Sequence, residues 1–466
     1  MKLSTGIFFL SSLVGAAVAF IQAPGPYNIS LVESDKLRRA LHRKVLYEHA
    51  KKYQSFADTT PERNRVAGSA GHNLTVDYLY DALVATGYYD VEKQPFTYIL
   101  SEGNTSFSAL SKEYDSEFMS YSPSTGGSTI TAQLVKIANL GCDQSDYPEV
   151  TGKIALISRG DCQFGLKVAR PYVPTASISG ADGAALVAAI EAGPVQGSLL
   201  VDATNEVRYT HNVLATTKGG DQNNVIMSGG HTDSVVAGPG INDNGSGSIG
   251  NLEIALQLTK WSVKNAVRFG FWSAEEFGLI GSNYYIGTLP EDERAKVALY
   301  LNFDMIASPN FGYLIYDGDG STFNRSGPPG SDAIERLFEH YFREVGLPTR
   351  PSNFDGRSDY APFMDIGIPV GGLFTGAEAN KTAEEAVLWG GQVGVAFDRH
   401  YHKAGDDINN LNMGAWIQNT KAAAHAIATY ARSTKTIPKR SPSRRVKRDT
   451  KHTIPGACGS APLHVA

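Results

Sequence analysis

The fold is decided by four stretches of the sequence: VIMSGGHTDS (225–234), GPGINDNGSGS (238–248), RFGFWSAEEFGLIGS (268–282) and LYLNFDMIAS (299–308). Three of them begin as apolar runs of strand length, and all four contain polar residues with metal-ligand chemistry. These polar residues are His231, Asp233, Asp243, Glu275, Glu276 and Asp304. Because open α/β sheets bind ligands beyond the carboxyl ends of their strands, we expect these side chains to meet at one edge of a sheet.

Strand-like and helix-like segments alternate along the second half of the chain. Strand patterns at NNVIMSGG, NAVRFGFWSA and KVALYLNFDM are separated by helical patterns at GSIGNLEIALQLTKWS and GLIGSNYYIGTL. Short connections between such segments imply parallel strands with right-handed crossovers. The sequence therefore predicts an α/β fold with a mixed, mostly parallel central sheet and helices on both faces.

Composition divides the chain into successive segments. The expected segments are a signal peptide (1–19), the start of the main domain (20–99), an inserted β-rich domain (100–218), the rest of the main domain (219–433) and a basic, disordered tail (434–466). Apolar residues at helical spacing predict an amphipathic helix at 31–56. That helix belongs either to the mature fold or to a propeptide.

The signal-like start predicts entry into the secretory system, with secretion as the expected destination and the vacuolar lumen as the alternative. No later stretch reaches the roughly 18 apolar residues that span a bilayer, so we expect no membrane anchor. Nucleic acid is not an expected partner, because the net charge is -5 and the basic cluster is confined to the tail. The glycosylation candidates are Asn28, Asn73, Asn104, Asn324 and Asn380.

The chain has three cysteines, too few for a disulfide-dense scaffold. Cys142 and Cys162 flank the apolar run KIALIS, and we expect them to close a short loop in an oxidising compartment. The alternative is two free thiols. Cys458 lies in the polar tail, and we expect no catalytic role for it.

Imidazole and carboxylate groups together suit zinc, and a carboxylate can bridge two ions about 3.5–4 Å apart. We therefore interpret the polar cluster as a two-zinc hydrolase site. Glu275 and Glu276 follow a strand at a turn, so one can bind metal while the other acts as general base. A glutamate pair that caps a helix, a turn-forming Asp243 and a structural His231 are the alternatives, but the joint placement at strand ends favours the metal site.

Two histidine segments complete the cluster. Asp233 lies two residues after His231, a spacing that lets its carboxylate hold the second nitrogen of a metal-bound imidazole. His402 lies in FDRHYHKAGDD, where a loop near the end of the main domain can return to the same crevice. His400 is the competing histidine two residues away.

These stretches resemble the zinc aminopeptidases of the aminopeptidase Y type. The matching motifs follow the family's order: NRVAGSAGH, GGHTDSV, GPGINDNGSG, WSAEEFGLIGS, LNFDMIAS, GRSDYAPF, GIPVGGLFTGAE and YHKAGDDINN. The inserted region, with GCDQSDYP and GKIALISRGDCQFGLK, is similar to the protease-associated domain of those enzymes. The resemblance covers nearly everything between the signal and the tail, and it implies that 219–433 is the zinc peptidase catalytic domain.

The resemblance assigns metal ligands residue by residue. It implies that His231 and Asp304 bind one zinc ion, and that Glu276 and His402 bind the other. It also implies that Asp243 bridges the two ions.

The resemblance further implies the catalytic and substrate-binding residues. Glu275 becomes the general base, and Tyr401 helps to polarise the scissile carbonyl and to stabilise the oxyanion. The free α-amino group of the substrate is held by Glu275 and Asp304, with the Arg357 segment beside them.

The chain departs from the family's pattern at two places. Where the family commonly has a cysteine on either side of the last histidine, this chain has His400 and Gly405, so that disulfide is absent. Asn244 stands where the family has a second aspartate, and it creates an Asn-Gly-Ser sequon. We expect Asn244 to stay unglycosylated because a metal site is buried.

The expected function is that of an aminopeptidase acting on peptides with a free N-terminus, with two zinc ions per subunit, as a monomer. A carboxypeptidase or aminoacylase-like hydrolase with the same metals is the alternative within this superfamily. A non-catalytic, receptor-like relative is a further alternative, disfavoured because every expected ligand and the base are present.

Overall fold

A computed structural model of the chain describes residues 29–159 and 173–439. The predicted signal peptide, the candidate Asn28 and the tail from residue 440 lie outside the described residues. Cys162 lies outside them as well, so its pairing with Cys142 stays a prediction.

The helices are α1 (Ser34–Arg39), α2 (Arg43–Ala57), α3 (Ala70–Val84), α4 (Gly180–Ala192), α5 (Gly247–Leu258), α6 (Ile280–Thr288), α7 (Glu291–Lys296), α8 (Ser331–Glu344), α9 (Tyr360–Asp365), α10 (Ala383–Trp389) and α11 (Met413–Arg432). Side-chain caps begin several of them: the Ser69 hydroxyl accepts from the His72 backbone N–H of α3, and the Asn412 side chain accepts from the first turn of α11.

The strands are β1 (Tyr89–Ala109), β2 (Lys112–Tyr114), β3 (Ser116–Phe118), β4 (Ile130–Lys136), β5 (Ile154–Leu156), β6 (Ala176–Ile178), β7 (Gln196–Thr217), β8 (Asp221–His231), β9 (Asn265–Trp272), β10 (Val297–Phe303), β11 (Leu314–Tyr316), β12 (Arg350–Ser352) and β13 (Val370–Phe374). The main sheet has the order β12-β11-β13-β10-β8-β9-β7-β1-β2.

The middle of this sheet is parallel. Strands β13, β10, β8 and β9 are parallel neighbours, whereas β7 is antiparallel to β9 and β11 is antiparallel to β13. The predicted mixed α/β sheet is confirmed. Because β8, β9 and β10 run in the same direction, their carboxyl ends share one edge of the sheet.

Helices cover both faces of the sheet. In β8, Ile226 packs in one core with Ile249 of α5, and the next residue, Met227, packs in another core with Tyr285 of α6 and Phe363 of α9. Successive side chains of a strand point to opposite faces, so a strand buried on both faces is apolar throughout. This explains why the central strands contain apolar runs such as VIM (225–227), FGFW (269–272) and VALYL (297–301).

The segment 31–56 forms two helices instead of the single helix expected. Helix α1 ends at Arg39, and His42 has extended φ and ψ (-132° and 135°) before α2 begins. The expectation was wrong because the turn brings both Leu41 and Leu46 into the core, where they are 2% and 0% exposed. Helical spacing alone does not show such a turn.

The inserted domain is attached through a long ribbon. Strands β1 and β7 pair without interruption from Tyr89 opposite Thr217 to Ala109 opposite Gly197. The near end of β7 pairs with β9 of the central sheet, and its far end pairs with β4. The described part of the inserted domain has its own small core, which includes the ribbon's far end. One continuous strand, β1, therefore crosses the expected boundary at residue 100, whereas β7 ends just before the expected boundary at residue 218.

Among residues 29–159 and 173–439, no helix combines the length and the apolar character that a bilayer crossing requires.

Leu46→Ala tests whether α1 and α2 belong to the folded main domain. Leu46 is fully buried in its core, so the substitution should lower the free energy of unfolding by about 2–5 kcal/mol, measured by urea denaturation. Glu48→Ala is the matched control, since Glu48 is exposed and its solvent-screened ion pair with Lys51 should contribute little to stability. Equal stability of the two variants would contradict the assignment.

Candidate metal centre

Three neighbouring parallel strands lead into the predicted metal ligands. His231 is the last residue of β8 and lies opposite Trp272, the last residue of β9. Glu275 and Glu276 lie in the turn after β9, and Asp304 directly follows β10. The structure thus brings together, at one edge of the sheet, residues that are distant in sequence.

Asp243 lies between the two histidines of the cluster. Its Oδ1 is 3.2 Å from His231 Nε2, and its Oδ2 is 3.2 Å from His402 Nε2. Asp304 Oδ1 lies 3.4 Å from His231 Nε2, and Glu276 Oε2 lies 3.1 Å from His402 Nε2. The five residues therefore form two groups that share the Asp243 carboxylate.

The donor set fits a pair of metal ions. Glu276 Oε1 and Asp304 Oδ1 are buried without a hydrogen-bond partner, which is costly for a charged group. Donor atoms of His231, Glu275 and Asp304 lie within 4.8 Å of one another, and so do those of His231, Asp243 and Glu276. Imidazole nitrogens and carboxylate oxygens are zinc ligands. One cation between His231 and Asp304, and another between His402 and Glu276, would give the unpartnered oxygens a partner.

The charges in the cluster perturb one another strongly. Burial acts to lower the pKa of His231, but the Glu275 and Asp304 carboxylates outweigh it and raise that pKa well above its usual value. Burial raises the pKa of Glu276 to about 7, and the Asp243 charge adds to the effect. Such an excess of buried negative charge is an arrangement that bound cations stabilise.

Asp233 has a wider role than its spacing suggested. Its Oδ1 lies 3.6 Å from His231 Nδ1, an electrostatic contact slightly longer than a hydrogen bond. The same carboxylate accepts hydrogen bonds from the backbone N–H groups of Glu275 (3.2 Å) and Glu276 (3.4 Å). Asp233 therefore positions the turn that holds both glutamates as well as facing His231.

Arg65 is a fully buried cation to which the sequence analysis assigned no role. Its guanidinium donates hydrogen bonds to the backbone carbonyls of Thr232, Pro239 and Gly240. It thereby ties the segment after β8 to the loop that precedes Asp243. The sequence feature that could have identified Arg65 is the NRVAGSAGH motif (64–72), which contains it.

Two buried aspartates hold the loop that carries His402. The Asp406 carboxylate accepts from the backbone N–H groups of Asn242 and Asp243, each at 2.9 Å. The Asp398 carboxylate accepts from the Asn242 side chain at 2.7 Å. These charge-assisted hydrogen bonds fix the His402 loop to the segment of the shared carboxylate. The sequence patterns assigned a role to neither aspartate, although Asp406 lies within the last motif and Asp398 lies three residues before it.

The positions that are cysteines in the family are in contact here. A Cβ on Gly405 would overlap His400 Nδ1, so the imidazole lies against the Gly405 backbone. His400 thus packs within its own loop, and His402 is the histidine that reaches the cluster. Without the disulfide, the loop is tied by this contact and by Asp398 and Asp406.

Tyr401 and Arg357 lie beside the cluster on its exposed side. The Tyr401 ring stacks on the His402 ring with centroids 3.8 Å apart. Arg357 donates from Nη2 to the Tyr401 hydroxyl at 3.0 Å and from Nη1 to Glu378 Oε1 at 2.7 Å. The Arg357 and Glu378 side chains are 56% and 55% exposed, so the pair is accessible to a substrate. Glu378, at the end of GIPVGGLFTGAE, was not predicted.

The GRSDYAPF motif orients one of the predicted ligands. The Ser358 hydroxyl donates to Asp304 Oδ2 at 2.6 Å and accepts from the Asn302 side chain at 2.8 Å. The neighbouring Asp359 is fully buried, and burial raises its pKa to about 7. The motif therefore supports the metal centre in addition to bordering it.

The glycosylation candidates differ from Asn244 in exposure. Those in the described part of the chain are exposed, namely Asn73, Asn104, Asn324 and Asn380. Asn244 is fully buried, and its amide donates to the Phe303 carbonyl and accepts from the Gly247 N–H. Modification of the exposed sites stays a prediction, and the burial of Asn244 supports its expected lack of a glycan.

The sequence matches two family models. Residues 212–427 match "Peptidase family M28", and residues 130–197 match "PA domain". The chain is 48% identical to "Probable leucine aminopeptidase 2" of Aspergillus fumigatus, with 97% of each chain covered. It is 49% identical to "Leucine aminopeptidase 2" of Arthroderma otae, with 88% of each covered.

Solved structures share the fold. "Aminopeptidase from Aneurinibacillus sp. strain AM-1" is 26% identical, with a TM-score of 0.69 over 87% of this chain and 98% of that one. A structure titled as BSAP, a zinc aminopeptidase from Bacillus subtilis, is 23% identical, with a TM-score of 0.58 over 84% of this chain and 96% of that one. The second likeness concerns the fold alone.

Asp406→Ala should weaken metal binding without touching a predicted ligand. It leaves two buried backbone N–H groups near Asp243 without their acceptor, and losing a residue that orients ligands typically costs 10- to 100-fold in metal affinity. Competition with a chromophoric zinc chelator measures the loss. Asp407→Ala is the control, because the Asp407 carboxylate accepts from the Asn409 N–H two residues away and, among the described residues, from no group of the metal centre. Unchanged affinity in Asp406→Ala would refute this role.

Proposed function

Because the chain belongs to peptidase family M28, we propose that it is an aminopeptidase that uses two zinc ions to remove single residues from the N-termini of peptides. Its relatives and its fold make it a zinc-dependent metallo-aminopeptidase. The number of ions and the residue roles are the proposal. The observation that carries it is the Asp243 carboxylate, which directs one oxygen to each of two histidines.

The ions would be held by His231, Asp304, Glu276 and His402, with Asp243 shared. When bound, zinc lowers the pKa of water to about 7 and polarises a carbonyl group. The chain's own residues must then orient the peptide, move the proton and stabilise the developing negative charge.

Glu275 is the proposed general base. It is 8% exposed, and its Oε2 lies 3.7 Å from His231 Nε2, within the cluster. Burial raises its pKa well above the usual value, so its carboxylate takes up a proton readily and can pass it to the leaving amine. The Asp233 carboxylate holds the Glu275 backbone and so keeps the base in place.

Tyr401 is proposed to donate its hydroxyl to the oxygen that becomes negative during the reaction. Burial raises the pKa of this tyrosine, so the hydroxyl keeps its proton and remains a donor. Arg357 donates to the same hydroxyl oxygen, which leaves the tyrosine proton free to point toward the substrate.

The proposed selectivity for a free N-terminus is electrostatic. Glu275 and Asp304 give the centre buried negative charge that attracts a substrate α-ammonium group. An acylated N-terminus lacks that charge. The names of the curated relatives support leucine as the preferred N-terminal residue.

We propose secretion as the destination, with the vacuolar lumen as the alternative. The signal-like start and the exposed glycosylation candidates support the proposal. We also propose that the enzyme is active as a monomer, because a single chain supplies every residue of the centre.

A substrate panel tests the function. Leucyl-nitroanilide should be hydrolysed, and a chelator should abolish the activity, which zinc should restore. The N-acetylated analogue and a peptide with a free C-terminus and a blocked N-terminus should remain intact. Hydrolysis of the blocked substrates would instead support an aminoacylase-like enzyme or a carboxypeptidase.

Glu275→Gln and His402→Ala should fail in different ways. Glu275→Gln should keep the fold and the zinc but lose turnover by about 10²–10⁴-fold, because only the proton acceptor is removed. His402→Ala should lose part of its zinc, because a ligand is removed. Metal analysis and leucyl-nitroanilide turnover on the same samples separate the two effects. An active Glu275→Gln enzyme would refute the assigned base.

A further inference from the structure

A second acidic cluster lies at the carboxyl end of β11, separate from the zinc ligands. The sequence there is DGDGSTF (317–323). Donor oxygens of Asp317, Asp319 and Glu335 lie within 4.8 Å of one another, with Glu335 supplied by helix α8. These three residues lie outside the motifs that carry the family resemblance.

Asp317 is the residue that marks this cluster as a site. It is fully buried, and its Oδ2 accepts from the backbone N–H groups of Thr322 (3.0 Å) and Phe323 (2.8 Å). Its Oδ1 is buried and has no hydrogen-bond partner. A buried carboxylate oxygen without a partner is costly, so a ligand that binds there would remove the cost.

The neighbouring acids increase that cost. Glu335 is 7% exposed, and its Oε2 accepts from the Asp319 backbone N–H at 3.0 Å. Burial raises the pKa of Glu335 to about 7, and the Asp319 charge adds to the increase. Within the described residues, no ion pair joins a lysine or arginine to these acids, and the nearby Arg336 pairs with Asp332 instead.

The chemistry of the donors indicates a hard divalent cation. All three donors are carboxylate oxygens, without nitrogen or sulfur, which disfavours zinc and favours calcium or magnesium. The spacing Asp317, Asp319, Ser321 also matches ligand positions 1, 3 and 5 of calcium-binding loops, in which the backbone carbonyl at position 7 binds as well. Those loops supply a further glutamate ligand from their own position 12. Here the corresponding acid is Glu335, which comes from helix α8.

We propose that Asp317, Asp319 and Glu335 form a structural calcium site. The cation would join the loop after β11 to helix α8. Without it, the carboxylates of Asp317, Asp319 and Glu335 lie close together without a cation to balance their charge. Calcium is favoured over magnesium because it accepts an irregular set of oxygens from a loop and a helix, whereas magnesium requires nearly ideal octahedral geometry. The site lies outside the zinc centre, so its role is to stabilise the fold.

Calcium binding to the zinc-loaded, full-length enzyme tests the proposal. Equilibrium dialysis against calcium chloride should show about one calcium ion per chain with a dissociation constant below about 1 mM, and the thermal midpoint should rise with calcium concentration. Magnesium chloride at the same concentration should bind more weakly. Zinc content, measured in parallel, should not change, which shows that calcium has not entered the zinc centre.

Variants assign the binding to these residues. Glu335→Gln and Asp319→Asn should each weaken calcium binding at least about tenfold and reduce the response of the thermal midpoint. Glu339→Gln is the matched control, an exposed glutamate on the same helix that should bind as the wild type does. Asp319 is exposed, so Asp319→Asn decides the question if Glu335→Gln fails to fold.

Three results would overturn the proposal. They are no calcium binding by the wild-type enzyme up to about 10 mM, calcium binding by Glu335→Gln and Asp319→Asn equal to that of Glu339→Gln, and magnesium binding as tight as calcium binding. None of them bears on the aminopeptidase activity, which is measured with zinc alone.

Discussion

The structure depends on concentrating buried carboxylates at the edge where the parallel strands end. Asp233, Asp243, Glu275, Asp304 and Asp359 are each less than a tenth exposed, and buried charge is stable only when it is paired. Two histidines and the buried Arg65 offset part of this charge. The unpartnered oxygens of Glu276 and Asp304 show where further positive charge is required. The fold thus leaves an excess of buried negative charge at this edge of the sheet, which bound metal ions would neutralise.

The surrounding scaffold keeps these charges in place through hydrogen bonds to backbone groups. Asp233 holds the glutamate turn, Asp406 holds the segment of Asp243, and Ser358 holds Asp304. Each support comes from a segment distant in sequence from the group that it holds. Ligands oriented in this way lose little further freedom when a metal binds, which explains how a loop without the family's disulfide still presents His402.

Sequence patterns predicted the elements of the main domain because its central strands contain apolar runs and because helices such as α8 bury one apolar face. The mixed sheet and the order of its motifs could therefore be predicted from the sequence. Three features could not be predicted in this way. The turn at Leu41 depends on burial in the core, the supports at Asp398 and Asp406 depend on contacts across the fold, and the acidic cluster at Asp317 needs Glu335 from a later helix.

The sequence by itself determined the residue types, because zinc chemistry needs imidazoles and carboxylates and these follow strand patterns in a recognisable order. Only the tertiary structure decided which oxygen of Asp243 faces which histidine. It also places His402, which the resemblance had favoured over His400, in the cluster. The reason is physical: local spacing sets whether a residue lies on a strand, in a helix or in a turn. Distances between segments far apart in the chain are set by packing and hydrogen bonding across the whole core.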